Sequence, residues 1–131
     1  MKVKNILLVD DSDIDNMVNK RVIMKAGYTE QITVKISAQA ALDYLLECID
    51  EQSAMIPDLI LLDIRMPEID GFGFLERFEK LPAQIHQKAS IVMLSSSIDA
   101  EDFRKAEENR FVKKFVNKPL KKETIDMLRQ I

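Results

Sequence analysis

At 131 residues the sequence has room for one compact domain, residues 1–131, and no second catalytic or DNA-binding domain is expected within it. Its 47% hydrophobic and 31% charged residues match an ordinary globular protein and argue against intrinsic disorder. The net charge of −3 excludes the overall basic footprint of a nucleic-acid binder, so direct nucleic-acid binding is not expected.

The charge is uneven, with seven Lys or Arg against two acids from Arg110 onward. A solvated basic edge is the simpler reading of that segment and a docking face the sharper one. Cys48 is the single cysteine and cannot form an internal disulfide, which fits a reducing compartment. No apolar run approaches the length of a membrane span. These features predict a cytoplasmic protein with no membrane partner.

Asn5 to Val9 is the first predicted strand, and Asp10-Asp11 follows it. Ile14, Met17, Val18, Val22 and Ala26 then recur at helical period, which predicts a helix with Ser12 or Asp11 as N-cap and Gly27 as stop. Ile32 to Ile36 is the second strand, ending in Ser37, and a helix from about Ala38 to Ile49 places Cys48 on a buried face. Leu59 to Leu62 is the third strand, followed by Asp63 and a helix over Gly71 to Lys80. His86 falls in a predicted loop as a surface residue. Ile91 to Leu94 leads into Ser95-Ser96-Ser97 and a helix over Ala100 to Asn109. Phe111 to Val116 leads into Asn117-Lys118-Pro119 and a last helix over Lys121 to Arg129.

Strand and helix thus alternate five times. Parallel strands need long crossovers, so this pattern predicts an α/β domain with a parallel, doubly wound sheet and helices on both faces.

The working edge of such a sheet lies at the carboxyl ends of its strands. There the chain places Asp10, Asp11, Asp63, Ser95 and Lys118. Three neighbouring carboxylates repel one another unless a cation sits among them, and Mg²⁺ suits oxygen donors that leave room for water and phosphate. With an ammonium and a hydroxyl added, these are the parts of a phosphoryl-transfer site. No glycine-rich phosphate loop follows the first strand, so nucleotide cofactors have no cradle. The Asp11 to Asp15 run mimics the start of a calcium loop, but Asn16 and Val22 stand where Gly and Glu are needed. Taken singly, Asp11 or Ser12 could only cap a helix, and Lys118 could be an ordinary surface lysine. Their shared edge is what raises the functional reading.

Ile6-Leu7-Leu8-Val9-Asp10-Asp11, Asp63-Ile64-Arg65-Met66-Pro67-Glu68-Ile69-Asp70-Gly71, Met93-Leu94-Ser95-Ser96 and Phe115-Val116-Asn117-Lys118-Pro119 together resemble the motifs of bacterial two-component response regulator receiver domains. The resemblance spans nearly the whole chain. It implies a flavodoxin-like five-stranded sheet of order 2-1-3-4-5 and a phosphorylation-controlled switch. Such a domain catalyses only its own phosphoryl acceptance and dephosphorylation.

Asp63 would take a phosphoryl group from a sensor histidine kinase or histidine phosphotransfer protein. Asp11, Asp63 and the backbone carbonyl of Arg65 would hold Mg²⁺, with Asp10 assisting through its water shell. Ser95 would bond a phosphoryl oxygen, Lys118 would pair with the phosphoryl group or the free carboxylate, and Phe115 would be the aromatic switch. A cis bond before Pro119 is implied as well.

The chain departs from the family pattern at Ser95, where threonine is common, at Phe111-Val112, where a small turn is common, and at Phe115, where tyrosine also occurs. Two further readings stay open: a haloacid-dehalogenase-type phosphatase with Asp10 or Asp11 as nucleophile, and a receiver-like scaffold that is never phosphorylated. The resemblance further implies that positions 65 and 97, each two residues past a site residue, flank the water that attacks the phosphoryl group; Arg65 and Ser97 offer no carboxylate or amide to orient it, so slow self-dephosphorylation is expected. Combining Arg65→Asn with Ser97→Glu is expected to shorten the phosphoaspartate lifetime; an unchanged decay would refute this.

Overall fold

The computed structural model describes residues 3–51, 55–97 and 99–131. The chain runs β1 (Asn5–Val9), α1 (Asp13–Lys25), β2 (Gln31–Lys35), α2 (Ala38–Glu51), β3 (Leu59–Asp63), α3 (Gly71–Glu79), α4 (Ala83–Lys88), β4 (Ser90–Ser95), α5 (Ala100–Glu108), β5 (Val112–Asn117) and α6 (Lys122–Leu128). The five strands pair in parallel in the order β2-β1-β3-β4-β5. This is the expected flavodoxin-like α/β topology.

Why the central strands are apolar on successive residues follows from this layering. Every residue of β3 is buried, because alternate side chains point to opposite faces and helices cover both. Leu7, Val9, Ile60, Leu62 and Met93 enter one core with Phe74 and Phe78 of α3. Ile6, Leu8, Leu61, Val92 and Leu94 enter the other with Ile23, Ile125 and Leu128 of α1 and α6. The edge strands β2 and β5 are more exposed and carry Lys35, Lys113 and Lys114, charges that discourage pairing with another chain.

Strand register sets the working edge. Val9 lies opposite Leu62, Asp63 opposite Leu94, and Ser95 opposite Asn117. The residues that follow, Asp10 and Lys118, therefore arrive level with Asp63 and Ser95. A register shift between Ile91 and Val92 against β5 contributes to this alignment.

The apolar stripe of α1 is only partly turned to the core, where Val22 and Ala26 pack. Ile14 is 70% exposed and Met17 and Val18 are also exposed, while Asn16, Asn19 and Ile23 are buried. Hydrogen bonds rotate the helix: Asn16 Nδ2 donates to the Asp10 carbonyl at 2.8 Å, and Asn19 Oδ1 accepts from the Leu120 N–H at 3.0 Å. Ser12 is the N-cap, accepting from the Asp15 N–H at 3.2 Å, and Gly27 takes φ +65° just beyond the helix as predicted.

His86 is corrected, since it lies in α4 rather than in a loop. Its Nε2 is 2.7 Å from the Phe78 carbonyl, and its ring packs against Phe78 and Phe111 at centroid distances of 5.0 and 4.7 Å. Six residues with one buried apolar side chain, Ile85, are too short to show a periodic signal. Cys48 is buried and free, and burial raises its thiol pKa. No helix among the described residues is long and apolar enough to cross a membrane.

Candidate functional site

β1 and β3 end side by side, so Asp10, Asp11 and Asp63 meet at one point. Each offers a carboxylate oxygen, and these oxygens all lie within 4.8 Å of one another. Asp10 and Asp63 are buried and Asp11 is exposed. Asp10 is held by the Ser12 N–H, which donates to its Oδ1 at 2.9 Å.

Lys118 reaches this cluster from the end of β5. Its Nζ lies 2.9 Å from Asp10 Oδ2, 2.8 Å from Asp15 Oδ2 and 3.2 Å from Asp63 Oδ1. The Lys118 N–H donates to the Ser95 carbonyl at 2.8 Å, which ties the lysine to β4, and the Lys118–Pro119 peptide is cis.

Burial and then the charge of Asp10 push the Asp63 carboxyl up to about 6, against the opposing pull of Lys118. Burial works against the Lys118 ammonium, but hydrogen bonds to Asp15 and Asp10 and the charge of Asp63 outweigh it and raise its pKa. One ammonium thus faces several acids, and negative charge remains in excess. A hard divalent cation is the group that such an all-oxygen donor set accommodates, so these residues fit Mg²⁺.

Ser95 is buried, and its hydroxyl is engaged within its own loop: it donates to the Ser97 carbonyl and accepts from the Ser97 N–H. Phe115 is half-buried and meets the exposed Phe103 of α5 edge to face at 5.5 Å. The Arg65 guanidinium turns toward α5, where it pairs with Asp102 and lies 3.8 Å from Asp99.

The structure therefore brings Asp10, Asp11, Asp63 and Lys118 together, and keeps the hydroxyl of Ser95 turned to its own loop. Sequence reasoning missed Asp15 and Asp102. Asp15, an acid in the first turn of α1, carries no signal beyond the common preference for acids at that place. Asp102, an acid in the first turn of a helix, reads only as a favourable partner of the helix dipole.

The family model described as the response regulator receiver domain matches residues 6–128. A probable methanogenesis regulatory protein, FilR2, of Methanothrix harundinacea is 31% identical over 120 residues, covering 92% of this chain and 75% of that protein. A two-component response regulator from Cytophaga hutchinsonii superposes with a TM-score of 0.91 at 32% identity, covering 99% of this chain and 96% of that one. A response regulator receiver protein from Dyadobacter fermentans superposes with a TM-score of 0.83 at 33% identity, covering 97% and 96%. With the family model spanning nearly all of the sequence and the acids and lysine meeting at one edge of the expected sheet, the chain belongs to the response regulator receiver domain family.

Proposed function

We propose that residues 1–131 form one receiver domain in which Asp63 accepts a phosphoryl group from a phosphohistidine on a sensor kinase or phosphotransfer protein. Membership of the family makes the chain a phosphorylation-controlled signalling domain rather than a general enzyme. The observation that carries the finer reading is Asp63 itself, a buried carboxylate among two further acids with an ammonium 3.2 Å away.

In the transfer, the P–N bond of phosphohistidine breaks as an Asp63 oxygen forms the new P–O bond, and imidazole leaves. Mg²⁺, held by Asp11, Asp63 and the Arg65 carbonyl with Asp10 acting through water, would neutralise phosphoryl oxygens when bound. Lys118 already faces Asp63 and pairs with a phosphoryl oxygen or with the free carboxylate oxygen. Ser95 gives up its bonds to Ser97 and donates its hydroxyl to the phosphoryl group, and Phe115 turns inward behind it. The new charge attracts these donors, and this attraction biases the surface between two states.

The exposed side chains Ile14, Met17 and Val18 on α1, which begins two residues after Asp11, suit a protein that delivers the phosphoryl group. The signal then passes through protein contacts, in the cytoplasm, a setting supported by the free and buried Cys48.

Incubation with acetyl phosphate and Mg²⁺ is expected to produce a hydroxylamine-labile phosphoryl group that maps to Asp63 and disappears in Asp63→Asn. Label on Asp10 or Asp11 would favour the phosphatase reading instead, and absence of label the scaffold.

A further inference from the structure

We propose that the ion pair of Arg65 with Asp102 and Asp99 is a latch that holds the first turn of α5 against the β3–α3 loop, and that phosphorylation of Asp63 releases it. The proposal rests on the reading of Asp63 as phosphoacceptor. It adds a route to α5 separate from Ser95 and Phe115.

Two residues of extended chain span at most about 7 Å, so Arg65 is anchored close to any phosphoryl group on Asp63. Its long side chain and planar fork of donors match a phosphoryl group as well as a carboxylate. A two-donor fork turned to a phosphoryl group is withdrawn from Asp102. In the structure it is committed to α5, and it crosses 37 positions of sequence to reach Asp102.

Asp102 makes that choice consequential. It is only 6% exposed, and among the described residues Arg65 is the cation paired with it. Asp99, the N-cap of α5, already accepts the N–H groups of Glu101 and Asp102. When Arg65 turns to the phosphoryl group, the Asp102 carboxylate is left buried without its counter-charge, a state relieved by movement of that turn toward water. The neighbouring residue, Phe103, packs on Phe115, and both line a cavity of about 340 Å³ between α5 and β5, together with Ala106 and Lys114. Release of the turn therefore reshapes this groove.

A double-mutant cycle tests the latch, with beryllium fluoride plus Mg²⁺ as the phosphoryl probe and affinity read by titration calorimetry. Asp102→Asn removes the competing partner and is expected to raise probe affinity about fivefold, a coupling at the low end of those found between linked sites. In the Arg65→Gln background the same change is expected to have no effect. Equal effects in both backgrounds would overturn the latch. Failure of the wild-type chain to bind the probe at Asp63 would instead overturn the reading on which it rests. Should Asp102→Asn not fold, Arg65→Gln at an exposed side chain provides a second measurement. Without probe, it should speed hydrogen exchange in the first turn of α5 toward the rate of probe-bound wild type, and unchanged exchange would reject the proposal.

Discussion

Replacing Lys118 with methionine is expected to destabilise the metal-free protein by about 3 kcal/mol at neutral pH, because it strips a buried ion cluster of its cation. Lys118 Nζ lies within 3.2 Å of carboxylate oxygens on Asp10, Asp15 and Asp63, and Asp10 and Asp63 are buried. Methionine keeps much of the packing of the aliphatic stem but supplies no charge. The lysine pKa lies above its ordinary 10.5 in the folded state, so its stabilising effect is fully present below about pH 10 and is lost only as pH rises through the raised value. Mg²⁺ should restore more stability to Lys118→Met than to wild type, since it replaces missing positive charge. Phosphorylation by acetyl phosphate should slow by about 10²-fold, the cost of losing one preorganised electrostatic partner. Thermal melts with EDTA and with Mg²⁺ decide the matter: a variant that melts with wild type under both conditions would contradict this account of the cluster.

Asp63→Asn is expected to do the opposite to stability while abolishing phosphoacceptance. Asn resembles the neutral form of the aspartate, and the ionised form is disfavoured here, with a pKa of about 6 against an ordinary 3.8. Between these values the folded protein binds more protons than the unfolded chain, so wild-type stability falls as pH rises through that window. The penalty is absent below about pH 3, where the carboxyl is protonated in both states, and nearly complete by about pH 7. The variant should therefore gain about 3 kcal/mol over wild type at pH 7.5 in EDTA, a rise in Tm of roughly 10 °C, with most of that gain gone by about pH 4. Mg²⁺ reverses the comparison, because binding to the folded state stabilises the chain that keeps all three acids. A gain independent of pH would show that burial and the Asp10 charge are not its source.

Both predictions depend on neighbours that linear order hides to different degrees. Asp10, Asp11, Asp63 and Lys118 were legible because each follows a recognisable apolar strand, and a parallel sheet gathers strand ends on one edge. Asp15 was not, since an acid in the first turn of a helix is common on solubility and dipole grounds alone. Gly71 belongs to the same group. A Cβ there would stand 2.8 Å from the Asp63 carbonyl oxygen, a close approach that no local pattern announces.

By itself, the sequence determined the alternation of strand and helix, the doubly wound parallel class and the rim where chemistry gathers, because these follow from local periodicity and from the steric rules of crossovers. Only the tertiary structure decided which face α1 turns inward, where β5 shifts register and which acid engages Arg65. The apolar spacing of Ile14, Met17 and Val18 reports a stripe, yet a stripe carries no direction. Its orientation is set by hydrogen bonds such as that between Asn19 and Leu120, 101 residues apart, which exist only once the sheet has placed α1 and the segment after β5 side by side on one face.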